Sequence, residues 1–291
     1  MATAPSSTQQ HPLRVAFQGE AGAFSHEAAR GAFGSGVDIA PRRTFEEMFD
    51  AVTEGQADVA VVPIENTLAG SVIKNYDLLI EHHLVIVAEL VLRIVHNLIG
   101  QPQAQLEQIR SVFSHPVALA QCERFFKAHP NLQVEQGYDT AGCVKMIMEA
   151  GDPTLAAIAG ATAAEVYGAK IVAAGIESHT QNFTRFFVLA PPERVDEFRL
   201  TGTKPGRKTS IVLRIANRPG GLYEALSAFA KEGVDLTKIE SRPIEGRPWE
   251  YSFYLDFAGS TSDSAVQKAL ATLTADSESV RLLGSYPTLI V

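Results

Sequence analysis

Short runs of β-branched and apolar residues alternate with helical patterns between residues 13 and 190, which is typical of an α/β domain. The predicted strands cover residues 14–17, 58–62, 84–95 (one or two strands), 111–113, 132–137, 155–159, 170–174 and 186–189. The predicted helices cover residues 25–33, 44–54, 116–128 and 140–150, with Ser25 as a cap and Thr44 and Glu47 as a capping box. Because two similar series of elements follow one another, we expect two lobes with a central cleft.

A different order of elements follows a segment with three prolines and two glycines, residues 191–208, which we predict to be a linker. Beyond it, the pattern predicts strands over residues 209–216, 235–241, 249–257 and 279–283, and helices over residues 221–232 and 263–275. This βαββαβ order predicts a ferredoxin-like second domain over residues 209–291, after a first domain over residues 13–190.

The charge balance excludes one class of function. The chain has 25 Lys and Arg against 33 Asp and Glu, a net charge of −8. Residues 1–205 hold 15 basic and 23 acidic side chains, whereas residues 206–291 hold ten of each. Binding of nucleic acid requires a surface that neutralises phosphates, so we expect no nucleic-acid partner.

The spacing of the cysteines and the hydropathy of the chain indicate the cellular compartment in which the protein is expected. Cys122 and Cys143 form neither a disulfide framework nor a zinc-binding spacing, which indicates reduced thiols. Residues 1–12 are polar and lack the apolar run of a signal peptide. The longest apolar stretch, residues 84–92, is interrupted by Glu89 and is too short to span a membrane. We therefore expect a cytoplasmic protein, or one from an equivalent reducing compartment, that does not bind membranes.

Polar residues cluster where predicted strands end and helices begin, which is the edge at which open α/β sheets bind ligands. Five stretches there supply candidate site residues: Gly22 and Ser25; Glu65, Asn66 and Thr67; Ser114 and His115; Thr140; and Asn182, Thr184, Arg185 and Phe186. The first four stretches also have a purely structural explanation, as a glycine turn, a set of mutual hydrogen bonds or a helix cap. The residues alone leave both interpretations open.

Taken together, these stretches resemble the prephenate dehydratase family, in its form with a C-terminal ACT regulatory domain. The matching motifs are residues 19–25, 62–72, 114–122, 139–142 and 182–186, and in the second domain residues 220–223 and 240–243. The chain departs from the family pattern at Val117, Ser178 and Gly221. The resemblance implies that the first domain is like a periplasmic binding protein and that the second is an ACT domain.

The resemblance also implies an activity, that of a carbon–oxygen lyase of phenylalanine biosynthesis. It would convert prephenate to phenylpyruvate, with loss of carbon dioxide and of the ring hydroxyl. Because the product is aromatic, a hydrogen-bond donor at the leaving oxygen suffices, and we expect no metal or organic cofactor. The family's essential residue maps to Thr184, and His115 is the second candidate for the proton source. The other residues of the five stretches would bind substrate.

Arg185 has two open roles. Its planar guanidinium suits a substrate carboxylate, but it is equally suited to an ion pair with Glu65 or Glu177. Adjacent residues of a strand face opposite sides, so Thr184 and Arg185 are not both expected to face the cleft. Of the two, we expect Thr184 to do so.

In the second domain, the resemblance implies a site for L-phenylalanine as an inhibitor. The site would lie between two chains of a homodimer or homotetramer, with Gly220, Gly221 and Leu222 from one chain and Glu240, Ser241 and Arg242 from another. The alternative is a silent dimerisation domain.

Two other functions stay open. Arogenate dehydratase shares these motifs and accepts an amino group where prephenate has a keto group. A solute-binding or sensor protein would also have two α/β lobes and a cleft, but the polar start of the sequence counts against secretion.

Overall fold

The computed structural model describes residues 12–244 and 246–290, which form three β-sheets with helices around them. The strands are β1 (Arg14–Gln18), β2 (Asp38–Arg42), β3 (Val59–Asn66), β4 (Gly70–Ser71), β5 (Val85–Arg93), β6 (Asn97–Gly100), β7 (Ser111–Ser114), β8 (Gln133–Gln136), β9 (Leu155–Ala159), β10 (Lys170–Ala173), β11 (Phe183–Ala190), β12 (Lys208–Arg214), β13 (Leu236–Ile244), β14 (Arg247–Ala258), β15 (Ser279–Tyr286) and β16 (Thr288–Ile290). The helices are α1 (Phe24–Phe33), α2 (Phe45–Thr53), α3 (Ile73–Glu81), α4 (Pro116–Gln121), α5 (Glu123–Ala128), α6 (Thr140–Ala150), α7 (Ala161–Tyr167), α8 (Gly221–Lys231) and α9 (Ser264–Asp276), with short 3₁₀ turns at Leu106–Gln108 and Pro192–Arg194.

Lobe 1 of the N-terminal domain is a sheet with the strand order β2-β1-β3-β11-β5-β16, and β4 pairs with the end of β3. The strands β1, β2 and β3 are parallel, whereas β11 runs antiparallel between β3 and β5. Helices cover both faces: Phe187 and Leu189 pack with α2 and α3, and Phe186 and Val188 pack with α1 on the other side. Residues 186–190 of β11 are buried on both faces, and this part of the strand is accordingly a continuous apolar run.

Lobe 2 is a second sheet with the order β10-β6-β9-β7-β8, accompanied by α4 to α7. The chain passes between the lobes twice, through residues 94–96 and 174–182. The lobes also share packing, since Phe17 and Ala23 of lobe 1 lie in one apolar cluster with Ala141 and Ala163 of lobe 2. The expected arrangement of two α/β lobes with a cleft between them is confirmed.

The C-terminal domain has the strand order β13-β14-β12-β15, with every neighbouring pair antiparallel, which confirms the ferredoxin-like prediction. Side chains alternate along β14. Leu255 and Phe257 pack in the core beneath α8 and α9, whereas Tyr254 belongs to the apolar cluster of lobe 1, together with Tyr286 and Phe187. The sheet face opposite the two helices therefore lies against lobe 1.

The chain returns to lobe 1 after the C-terminal domain. Strand β16 pairs in parallel with β5, with Thr288 opposite Glu89, and so covers an edge that would otherwise be open to another strand. Strand β15 approaches β5 so closely that a Cβ added to Gly284 would lie 2.2 Å from the carbonyl oxygen of Ile86. We predicted residues 209–291 as one separate domain. Their last strand, β16, instead belongs to the sheet of lobe 1.

Other differences from the predicted elements have local causes. The predicted helix over residues 116–128 is two helices, because the chain leaves helical geometry at Cys122. Ser25 does not cap α1, since Ala23 holds that position and Ser25 is buried within the helix. The helices α3 and α7 were missed because Val72 and Gly160 precede them without a capping side chain.

The contact at Gly284 gives a test of the domain interface. We expect Gly284→Ala to lower the free energy of unfolding by about 1–3 kcal/mol, because β15 or β5 must shift to admit the methyl group. Denaturant unfolding followed by circular dichroism measures the change. Gly36→Ala is the matched control, since a Cβ there meets nothing within 4 Å. Equal stability of the two variants would contradict the close contact.

Candidate active site

A cleft with a volume of about 760 Å³ separates the two lobes. The starts of α1 and α2 line it from lobe 1, the starts of α4 and α6 line it from lobe 2, and β11 and the crossing segment after β5 lie between them. Backbone N–H groups at helix starts carry partial positive charge, which favours anions. Six of the predicted site residues line the cleft: Ser25, Asn66, His115, Thr140, Thr184 and Phe186.

Thr184 lies on the cleft side of β11 with 9% of its surface exposed. Its Oγ1 accepts a hydrogen bond of 2.9 Å from Nδ2 of Asn66. The orientation of that amide is set by its other end, because Oδ1 of Asn66 accepts from the backbone N–H groups of Leu68 and Ala69, both at 2.9 Å. Since Oγ1 is the acceptor, the Thr184 hydroxyl keeps its own proton for another partner.

The network continues behind Thr184 toward lobe 2. Nδ2 of Asn66 also donates to Oδ1 of Asn182 at 2.8 Å, and Nδ2 of Asn182 donates to Oε1 of Gln121 at 2.9 Å. Nε2 of His96 lies 2.7 Å from the same oxygen, so it carries a proton and donates. Burial lowers the pKa of His96, which favours this neutral form. The amides therefore tie Thr184 to both lobes.

His115 caps α4, as its structural explanation predicted. Its Nδ1 accepts from the backbone N–H of Val117 at 3.3 Å, so the proton of the neutral ring is on Nε2. Asp139, which the sequence indicated only as a cap, also lines the cleft and accepts from the N–H groups of Gly142 and Glu20. Burial raises the pKa of the Asp139 carboxyl.

Arg185 is directed away from the cleft, so its predicted role as a carboxylate clamp is wrong. Its guanidinium forms ion pairs with Glu89 and with Asp256 of the C-terminal domain. Glu65 also leaves the cleft, because its carboxylate lies 3.1 Å from Nζ of Lys238 and 3.8 Å from Arg185. The cause is the alternation of side chains along β11, which sends Thr184 to the cleft and Arg185 to the domain interface.

Four more residues that we predicted to bind substrate do not line the cleft, and their polar groups have hydrogen-bond partners within the fold. Ser114 is fully buried and donates to the carbonyl oxygen of Ile158, and Asn182 is fully buried in the amide network. Thr67 donates to the carbonyl of Gln181, and the N–H of Gly22 donates to Nδ1 of His26.

Several residues that line the cleft had no motif to reveal them. Arg43 and Glu46 flank the start of α2, and Lys74 of α3 forms an ion pair with Glu46. Hydrogen bonding from Lys74 lowers the pKa of the Glu46 carboxyl. Tyr138 reaches across from lobe 2 and donates to Glu20 of lobe 1 at 2.8 Å. Arg43, Glu46 and Lys74 are therefore charged side chains of the cleft wall, whereas Arg185 is not part of that wall.

The residues predicted to bind phenylalanine fall into two groups. Gly220 caps α8 in a left-handed conformation with φ of 82°, Gly221 begins the helix, and Leu222 lines a small cavity beside Trp249. Along β13, Glu240 accepts from Ser71 of lobe 1 at 2.6 Å.

Arg242 likewise contacts lobe 1, through an ion pair of 2.9 Å with Asp77. Ser241 alternates to the other face of β13. The predicted site is formed by one group from each of two chains, and the structure describes one chain. The binding site therefore stays a prediction.

The described residues contain neither a cluster that could hold a metal ion nor a helix that could cross a membrane. Within residues 12–244 and 246–290, no three His, Cys, Asp or Glu side chains come together in a group that could hold a metal ion. In the same part of the chain, no helix is both long and apolar enough to cross a membrane.

The sequence matches two family profiles, one described as prephenate dehydratase over residues 15–194 and one described as ACT domain over residues 209–274. Among curated proteins it is 41% identical over 284 residues to arogenate dehydratase/prephenate dehydratase 2, chloroplastic, of Arabidopsis thaliana, covering 94% of this chain and 73% of that protein.

Two solved structures resemble the whole fold. A protein described as GqqA, a novel type of quorum quenching acylases, has a TM-score of 0.85 and 36% identity over 94% of this chain and 98% of that one. Prephenate dehydratase from Arthrobacter aurescens, in complex with L-Phe, has a TM-score of 0.83 and 32% identity over 94% of this chain and 89% of that one. With the profile match covering more than half of its length, the chain belongs to the prephenate dehydratase family and carries an ACT domain.

Proposed function

We propose that this chain converts prephenate to phenylpyruvate, carbon dioxide and water. The observation that carries the proposal is the Thr184 hydroxyl, which lies in the cleft and accepts from Asn66, so that its proton is available to a ligand. In the reaction, the electrons of the bond to the departing carboxylate move into the ring, and the bond to the ring hydroxyl breaks. Aromatisation makes the step favourable, and the donated proton converts the departing hydroxyl to water.

Thr184 is suited to donate a hydrogen bond at the leaving oxygen. A threonine hydroxyl is a weak acid, so Thr184 would stabilise the charge that develops on the departing oxygen or relay a proton to it, and would not act as an independent acid. The bond from Asn66 strengthens this donor, because it stabilises negative charge on Oγ1. His115 is the alternative proton source, since its Nε2 proton is not used by the cap.

Substrate binding would depend on local groups. Prephenate is a dianion, and a chain with a net charge of −8 does not attract it by its overall field. Ser25, Thr140 and the helix starts supply neutral donors, and Arg43 and Lys74 supply the cationic side chains of the lobe 1 wall.

Arogenate is the second candidate substrate, because the Arabidopsis relative is named for both activities. Its ammonium group requires an acceptor, and Glu46 places a carboxylate on the cleft wall. Turnover assays of the purified protein on prephenate and on arogenate distinguish the two. Formation of phenylpyruvate or phenylalanine from neither would overturn the proposal and favour a solute-binding or sensor protein.

The geometry does not favour the acylase activity for which one solved structure is described. An acyl-transfer nucleophile needs an adjacent base to take its proton. The partner of the Thr184 hydroxyl is the amide of Asn66, which donates and takes no proton.

We also propose L-phenylalanine as an allosteric inhibitor, a homodimer or homotetramer, and a reducing compartment such as the cytoplasm. The phenylalanine complex of the Arthrobacter enzyme and the ACT profile support the first. The two cysteines support the last, since their spacing is not that of a disulfide framework.

Thr184→Val tests the catalytic role directly. It keeps the shape of the side chain but removes the hydroxyl, so we expect kcat to fall on the order of a hundredfold or more, with little loss of stability. Steady-state kinetics on prephenate measures the change. Thr184→Ser is the control, because it keeps the hydroxyl. Near-normal turnover by the valine variant would remove Thr184 from the mechanism.

His115→Gln separates the two interpretations of His115. Glutamine retains an acceptor for the Val117 N–H, so we expect kcat to fall less than in Thr184→Val. The pH profile of kcat/KM decides the role. If the acidic limb disappears together with most of the activity, His115 is the general acid and Thr184 is not the main proton source.

Equilibrium dialysis tests the regulatory site. We expect saturable binding of phenylalanine at millimolar concentration or below, weakened when substrate occupies the cleft by a coupling of about 1–3 kcal/mol. Arg242→Gln should weaken the binding. Absence of saturable binding to the wild-type protein would leave only the silent dimerisation domain.

A further inference from the structure

A cluster of buried charged side chains joins lobe 1 to the C-terminal domain. Glu89 on β5 is fully buried and contacts both Arg185 on β11 and Lys208 on β12, the latter at 2.7 Å. Asp256 on β14 has 4% of its side chain exposed and lies 2.6 Å from Nη1 of Arg185. Arg185, with 12% of its side chain exposed, therefore bridges one carboxylate from each domain.

The charges of this cluster are balanced, with two cations and two carboxylates. Burial alone lowers the pKa of the Arg185 guanidinium, but the charges of Asp256 and Glu89 outweigh burial and raise it, so Arg185 stays ionised. Asp256 is itself held by a hydrogen bond from Oγ of Ser210. A buried ion without its partner is costly, so the guanidinium is confined to this position.

Strand β11 pairs irregularly with β3 next to this cluster. Its register against β3 shifts between Arg185 and Phe186, where Ile64 of β3 is left without a partner. Phe186 lies opposite Pro63, which has no N–H to donate. The extra residue is on β3, so the bulge loosens the constraint that β3 places on this part of β11, which stays in register with β5 from Phe183 to Val188.

We infer that Asp256 is a positioning residue for Thr184 and acts on it through Arg185, so that the C-terminal domain completes the active site. The inference rests on the proposed function, in which Thr184 donates to the leaving oxygen. Arg185 and Thr184 share one stretch of backbone and face opposite sides, so holding the first at the interface sets the direction of the second in the cleft. Misplacement of a reacting group by ~1 Å costs on the order of a hundredfold in rate.

The test is steady-state kinetics of the full chain carrying Asp256→Asn. We expect kcat to fall by about tenfold or more while KM changes by less than about threefold, because the polar and charged groups proposed to bind substrate lie on other elements. Asp256→Glu, which keeps the charge, should recover most of the loss. A merely structural role would lower the amount of folded protein without this division between kcat and KM.

Tyr254→Phe is the matched control. Tyr254 lies two residues away on β14 and donates to the carbonyl of Tyr76 at 3.2 Å, so its loss loosens the same interface without touching Arg185. We expect its kcat to stay near that of the wild-type protein. Equal kcat losses in Asp256→Asn and Tyr254→Phe, or an unchanged kcat in Asp256→Asn, would overturn the inference.

If Asp256→Asn does not fold, as shown by circular dichroism, Ser210→Ala decides the question. It removes one hydrogen bond to Asp256 and leaves every charge of the cluster in place, so a smaller loss confined to kcat is expected. An unchanged kcat in that variant would contradict the inference. Failure of the wild-type protein to turn over prephenate or arogenate would instead overturn the proposed function.

Discussion

The alternation of side chains along β11 is the constraint on which the rest of this structure depends. The strand lies between β3 and β5 in lobe 1, and each successive residue enters a different environment. Thr184 reaches the cleft, Arg185 reaches the charged interface with the C-terminal domain, and Phe186 and Phe187 enter apolar cores on opposite faces. A shift by one residue would place the guanidinium in the cleft and the hydroxyl in the interface. The position of the proposed catalytic hydroxyl, the contact between the domains and the packing of both cores therefore all depend on the register of β11 in its sheet.

Elements whose local signals agree have the predicted bounds. The helix predicted over residues 140–150 and the strand over residues 155–159 have these bounds in the structure, because Asp139 caps the helix and β9 is a short apolar run. Strand geometry predicted that Thr184 and Arg185 face opposite sides, and the family resemblance selected Thr184 as the residue in the cleft. The partner Asp256 had no such signal, since it lies 71 positions away in the sequence and becomes a neighbour only when the two domains pack. Strand β16 was not predicted for a different reason, because its three residues are too few to show an alternation of apolar and polar positions.

The cleft shows how a functional side chain can depend on groups that never touch substrate. Asn182 and Ser114 belong to motifs of the family, yet both are fully buried and bond other parts of the protein. Asn182 links Asn66 to Gln121, and so fixes the amide that donates to Thr184. A motif residue at a strand end can thus support the reactive group without contacting a ligand. The sequence pattern is the same in both cases, and only the direction of the hydrogen bonds distinguishes them.

The pairing of β16 with β5 affects how the chain folds during its synthesis. The sheet of lobe 1 receives its first strands from residues 14–18 and 38–42, but its edge strand comes from residues that the ribosome adds only after the whole ferredoxin-like unit. Until then β5 presents an unpaired edge, which other nascent chains can join. Completion of the first domain is therefore delayed until the second has been made. The order of the elements in the chain thus leaves the sheet of lobe 1 incomplete until the C-terminal domain has been synthesised.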